Sequence, residues 1–160
     1  MSAFQERVGR VALQWMTGAN TVVYRLSNGR TAGRLPSGAS ICLLTTQGRR
    51  TGRARTVPLL YIAHGDDEIV VVASHGGMSR HPAWYLNLRD DPRATVEVGS
   101  RRRDMTARPA TAAERAEIWP ALTAVYPHFD AYQQRTVRRI PVLILSPRDP
   151  PDRRRPHRER

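Results

Sequence analysis

Apolar side chains recur at helical spacing near the start of the chain and at strand spacing through its middle. Residues 2–17 put Phe4, Val8, Val11, Ala12 and Trp15 on one helix face. Residues 20–34 predict a second helix, capped by Asn20 or Thr21 with Val22, Val23 and Leu26 inward. Gly29 and Gly33 weaken its far end. After Pro36-Ser37-Gly38 the period shortens. Residues 41–46, 56–63 and 68–73 read as strands, and His64-Gly65-Asp66-Asp67 joins the last two with hairpin-turn chemistry. A loop over 74–81 leads to Pro82 and a helix through Leu88, which Asp90-Asp91-Pro92 ends. Two further strands, 94–98 and 102–108, pair across Gly99-Ser100. Thr111 and Glu114 form a capping box for a helix with Ile118, Trp119, Leu122 and Val125 inward. Pro127 breaks that helix, a short one follows over 132–138, and residues 140–145 make the last strand. Pro141 places this strand at a sheet edge or marks its start.

About six strands with two hairpins and few helices predict a mainly β chain of the α+β class, an antiparallel barrel decorated by helices. A parallel sheet needs crossover helices between the first three strands, and the connections are too short for them. The expected organisation is an amphipathic or flexible arm over 1–18, one barrel domain over 19–147, and an Arg/Pro-rich disordered tail over 148–160.

Composition narrows the class. With 160 residues, 40% hydrophobic and 25% charged, the chain is long enough for one domain with its own core. Cys42 is the single cysteine and makes no internal disulfide, so nothing calls for an oxidising compartment. The early charges Glu6, Arg7 and Arg10 interrupt any secretory signal, and no apolar run spans a bilayer. The expected location is cytoplasmic, or peripheral to a membrane. All 26 basic residues are arginine and the formal charge is +12. Such a body attracts anions: nucleic acid, phosphorylated cofactors or acidic lipid.

Three segments carry candidate chemistry. Gly48-Arg49-Arg50-Thr51-Gly52-Arg53-Ala54-Arg55-Thr56 combines flexible backbone with forked donors that match phosphate or carboxylate oxygens. It reads equally as a solvated basic hairpin loop, and it is not a Walker loop, since it leads into a strand and lacks Gly-Lys-Ser/Thr. Ala73-Ser74-His75-Gly76-Gly77 sits between a strand and a helix, where amides can face an anion or an oxygen-rich ring. The aromatic pair Trp84-Tyr85 suits a core or the wall of a flat ligand. The five histidines show no zinc spacing, there is no Gly-x-Ser-x-Gly elbow, and no metal site is expected.

Taken in order, these motifs resemble the deazaflavin-dependent nitroreductase and quinone reductase family. The resemblance rests on residues 43–52, on Arg55-Thr56-Val57-Pro58-Leu59, on 73–77 and on 81–88, with Tyr132-Gln133 and Arg139-Ile140-Pro141-Val142 behind them, and covers 24–147. It implies a split β-barrel of the flavin-reductase and pyridoxamine-oxidase type that binds the 8-hydroxy-5-deazaflavin coenzyme F-420. It also implies hydride transfer from the reduced coenzyme to a quinone or nitroaromatic. Arg50, Arg53 and Arg55, with Thr51 and Thr56, would hold the anionic tail. Ser74, His75, Gly76 and Gly77 would approach the ring, with Pro58, Trp84 and Tyr85 beside it. Ser74 and Tyr61 would donate to the acceptor oxygen, and Tyr132 would line the substrate pocket. Phe129 stands where members carry another tyrosine, which tilts the reading towards quinones. The implied partners are small molecules rather than nucleic acid, with weak membrane contact through the arm, and the chain is expected as a monomer or homodimer. The alternatives are a basic nucleic-acid or acidic-lipid binding module, or the same fold holding another flavin or haem.

Overall fold

The computed structural model describes residues 40–148; the helices expected over 2–17 and 20–34, the arm and the tail beyond Arg148 lie outside the described residues. Strands β1 (Ser40–Gln47), β2 (Ala54–His64), β3 (Glu68–Val72), β4 (Arg93–Val98), β5 (Arg101–Pro109) and β6 (Val142–Pro147) all pair antiparallel. They close a barrel in the order β1-β2-β3-β6-β5-β4. Three helices accompany them: α1 (Ala83–Asp90), α2 (Ala112–Val125) and α3 (His128–Arg135). The expected six-stranded antiparallel barrel is therefore present.

Side-chain alternation divides the core in two. Cys42, Leu44, Ile69, Val71, Val96, Met105, Leu143 and Leu145 point into the barrel, where Trp84 and Leu88 of α1 join them. Val70, Val72, Val142 and Ile144 point outward and are covered by Ile118, Leu122, Tyr126 and Phe129 of the α2–α3 region. Strands β3 and β6 are thus apolar on both faces, which explains their unbroken Val/Ile/Leu runs.

Turn chemistry sets the hairpins. Val98 pairs with Arg101 across the two residues Gly99 and Ser100, and Gly99 takes φ +58°, the left-handed conformation such a turn needs at its first central position. Between β2 and β3 the positive φ values of Gly65 and Asp67 do the same.

The helical region departs from expectation at two points. The short helix predicted over 132–138 starts at His128, because Pro127 (φ −58°) serves as its N-cap instead of only ending α2. It stops at Arg135, where Thr136 turns extended with φ −133°. Within α2, Pro120 is accommodated without a break. Its missing N–H would have met the carbonyl of Ala116, and both residues are exposed, so no buried carbonyl is orphaned. The Thr111–Glu114 capping box is formed in both directions.

Cys42 is fully buried inside the barrel, and this burial pushes its thiol up to about 12. The native protein is therefore expected to resist a thiol reagent at mildly alkaline pH and to expose a single reactive thiol only on denaturation. Rapid labelling of the folded protein, followed by absorbance, would contradict this packing.

Candidate functional site

The register around β2 creates an opening. β1 pairs with β2 along its length, from Ser40↔Tyr61 to Gln47↔Ala54, whereas β3 pairs only from Tyr61↔Val71 to His64↔Glu68. Beyond Val72 the chain stays with the β6 side, Ala73 N–H donating to the Pro141 carbonyl at 2.9 Å. Carried on, the β2–β3 register would bring Ser74 level with Pro58, but the strands have parted. Pro58 sits on this free stretch, where its missing N–H costs no bond to β3.

Ser74 to Gly77 line the far side of the opening. His75, Gly76 and Gly77 form a single 3-10 turn with φ of +47°, +63° and +77°. Ser74 is right-handed (φ −73°), so the Ser74–His75 step has the alternation that points successive amides into one concavity. The N–H groups of His75 and Gly76 and the half-buried Ser74 hydroxyl bond nothing among the described residues. Space above Gly76 is open, since an added Cβ would meet no atom within 4 Å. At Gly77 the opposite holds: a Cβ would lie 2.7 Å from the Tyr132 carbonyl oxygen and 3.0 Å from its Cα. That glycine lets the turn touch α3, which brings Tyr132 beside it. The Tyr132 hydroxyl lies 3.0 Å from that of Tyr126.

The arginine loop joins β1 to β2. Gly48 N–H donates to the Arg53 carbonyl at 2.8 Å and Gly52 N–H to the Gly48 carbonyl at 2.7 Å, folding it tightly. Gly48 has no room for a side chain, with Thr51 Oγ1 2.9 Å from a would-be Cβ. Arg50, Arg53 and Arg55 are exposed and no described carboxylate pairs with them. Arg93, Arg103, Arg108 and Arg148, by contrast, each hold an aspartate or glutamate. Loop charge is left available to an external anion. The Thr56 hydroxyl, on the same strand, lies 2.8 Å from that of Thr45.

Alternation on β2 sorts the remaining candidates. Leu60 and Ile62 pack on the outward cluster, so Thr56 and Pro58 share that face. Val57, Leu59 and Tyr61 pack on the inward one. The structure therefore brings Ser74 to Gly77 against Tyr132 and puts Thr56 and Pro58 together on one face of β2, while alternation turns Arg55 to the opposite face with Val57. It does not bring Tyr61 to them: this tyrosine faces inward and lines a separate cavity of about 280 Å³ near the β2–β3 hairpin. Trp84, at 6% exposure, and Tyr85 also pack on the inward cluster, so they support α1 from inside.

Two side chains that composition and motif reading passed over shape the site. Buried Asn87 on α1 accepts from the Arg49 N–H at 3.1 Å and donates to the hydroxyl of buried Thr46 at 3.1 Å, so it binds the arginine loop to the barrel. Arg138 donates to the carbonyls of Ala73, Ser74 and Met78 and to His81 Nδ1. The signal for Asn87 was its place inside the 81–88 motif. Arg138 carried none, being one arginine among 26.

A family model described as F420H(2)-dependent quinone reductase matches residues 15–147. The chain belongs to this family. Its cofactor is reduced coenzyme F-420. The F420H(2)-dependent quinone reductase Rv1261c of Mycobacterium tuberculosis is 37% identical over 129 residues, covering 79% of this chain and 86% of its own. A solved F420-H2 dependent reductase, FDR-A, is 37% identical with a TM-score of 0.61, over 66% of this chain and 93% of its own. Another solved structure, described as a domain-swapped dimer, is 31% identical with a TM-score of 0.63, over 89% and 96%. Residue types present fit the coenzyme: guanidiniums that no described carboxylate pairs suit its phosphate and carboxylates, and amide donors unbonded among the described residues suit its oxygen-bearing ring.

Replacing Asn87 with alanine leaves the Thr46 hydroxyl and the Arg49 N–H unpaired. A loss of roughly 1–3 kcal/mol is expected in urea unfolding, and an unchanged midpoint would refute this role. His81 gives a pH signature. Burial first, then the charges of Arg138 and Arg89, lower its pKa from 6.5, and Arg138 donates to a ring nitrogen that must be unprotonated. The unfolded chain takes up this proton first, so the contribution is complete above 6.5 and is lost as pH falls below it. Urea midpoints measured across that range should fall less steeply in His81→Gln than in wild type.

Proposed function

We propose that this protein reduces quinones with coenzyme F-420 held in the opening between β2 and the Ser74 turn, and accepts nitroaromatics there as well. What supports the reading above all is a turn whose His75 and Gly76 amides bond nothing among the described residues, together with three exposed arginines that no described carboxylate pairs. When bound, the reduced deazaflavin supplies a hydride to a two-electron acceptor.

The chain's own part is binding, orientation and proton supply. Arg50, Arg53 and Arg55 hold the anionic tail by charged hydrogen bonds, and the Thr51 and Thr56 hydroxyls add neutral ones. Pro58 offers a flat apolar flank on the free stretch of β2. The His75 and Gly76 amides and the Ser74 hydroxyl face the ring and fix its depth. Trp84 and Tyr85 act indirectly, keeping α1 and its Asn87 in register with the arginine loop. Tyr132 donates from its hydroxyl to the acceptor oxygen as negative charge grows there. Burial, the first cause, and the Tyr132 hydrogen bond raise the Tyr126 hydroxyl well above its ordinary pKa, so it stays protonated and can donate to Tyr132. Phe129 packs against both tyrosines and adds no further donor.

Titration with coenzyme F-420, read by fluorescence beside riboflavin phosphate, haem and heparin, tests this. Saturable binding of the deazaflavin alone is expected, weakened by about tenfold or more in an Arg50→Ala/Arg55→Ala double variant. Tyr132→Phe is expected to lower kcat for a quinone by roughly tenfold to a hundredfold while leaving coenzyme affinity in place. Equal binding of heparin and the deazaflavin would sink the proposal and leave the basic surface as the function to explain.

A further inference from the structure

We infer that Arg138 is the positioning residue of the site: it fixes the shape of the coenzyme-facing turn and couples it to the helix bearing Tyr132. The inference rests on the function proposed above for what the turn binds, and on geometry for how the turn is held. The Arg138 guanidinium donates from Nε to the Met78 carbonyl at 2.7 Å and from Nη2 to the Ser74 carbonyl at 2.8 Å. Nη1 and Nη2 both reach the Ala73 carbonyl at 3.3 Å, and Nη1 reaches His81 Nδ1 at 3.2 Å. One planar fork thus gathers three carbonyls and a ring nitrogen from a nine-residue stretch, 73–81. Because the Ser74 carbonyl is drawn towards Arg138, the His75 amide of the same planar peptide faces the opposite way.

Arg138 is itself aimed. Gln133, on the same helix as Tyr132, donates from Nε2 to the Arg138 carbonyl at 2.9 Å, and its Oε1 accepts from Ile140 N–H at 2.9 Å. Arg115 Nη2 supports that oxygen at 3.1 Å from α2. Residues 136–140 are therefore folded back on α3, and Arg138 projects from that fold into the turn. Contact at Gly77 and the Arg138 fork are two independent links between the same two elements. A change in the α3–β6 connection is thereby passed to the turn through the Arg138 fork.

Hydrogen exchange on the coenzyme-free protein is the primary readout. In Arg138→Ala the Gly77 and Met78 amides, bonded to Ser74 and His75 carbonyls, are expected to exchange at least about tenfold faster, with β1 and β5 amides unchanged. Coenzyme affinity falls by roughly the same factor, and low, sub-denaturing guanidinium restores both. Arg138→Lys, which keeps the charge and folds but lacks the planar fork, recovers only part of the affinity. Unaltered exchange of the turn in both variants overturns the inference, as does lysine restoring full affinity. Failure of the wild-type protein to bind coenzyme F-420 would defeat the proposed function, whereas the exchange result decides Arg138's grip on the turn either way.

Discussion

Everything at the site follows from where β3 lets go of β2. The two strands are paired from Tyr61 to His64, and past that point β3 keeps its bonds to β6 while β2 keeps its bonds to β1. A barrel whose strands remained paired along their full length would present only side chains there. Parting them exposes one strand edge and one irregular turn, with backbone donors that a ligand can use. The cost of the unmade ladder is limited by the parts chosen: a proline that has no N–H to lose and glycines that tolerate positive φ.

The division of the core into inward and outward clusters explains how this opening stays rigid. Inward residues of β1, β3, β5 and β6 pack against Trp84 and Leu88, which seats α1 and, through Asn87, the arginine loop. Outward residues of β3 and β6 pack against α2 and α3, which seats Tyr126 and Tyr132. The Trp119 Nε1–Asp130 bond of 2.7 Å joins these two helices to each other. The arginine loop and α3 are therefore supported from opposite sides of one sheet.

Strand alternation, turn residues and the capping box were legible in the sequence because each is a local signal with a fixed period or offset. The ends of β2 were less so: the strand starts at Ala54, two residues before the apolar pattern does, since pairing with Gln47 needs no apolar side chain. Site residues carried by backbone geometry, Ser74 to Gly77, were readable from their glycines. Those whose role depends on which face of a strand they occupy were not. Tyr61 and Pro58 are three residues apart and fall on opposite faces, a fact that waits on the register. Arg138 was beyond reach for another reason. Its partners are carbonyls 60 to 65 positions away, and a carbonyl leaves no trace in the identity of its residue.

A stretch of strand edge that no described strand pairs is also an invitation to other chains. Exposed main-chain donors and acceptors recruit a further strand readily, and that is how sheets aggregate. Here the bare part of β2 has Pro58 in the middle and Arg53 and Arg55 at its entrance. A second copy laid against it would lose a ladder bond at the proline and bring like charges together at the arginines. Pro58, Arg53 and Arg55 thus make this edge a poor template for another strand.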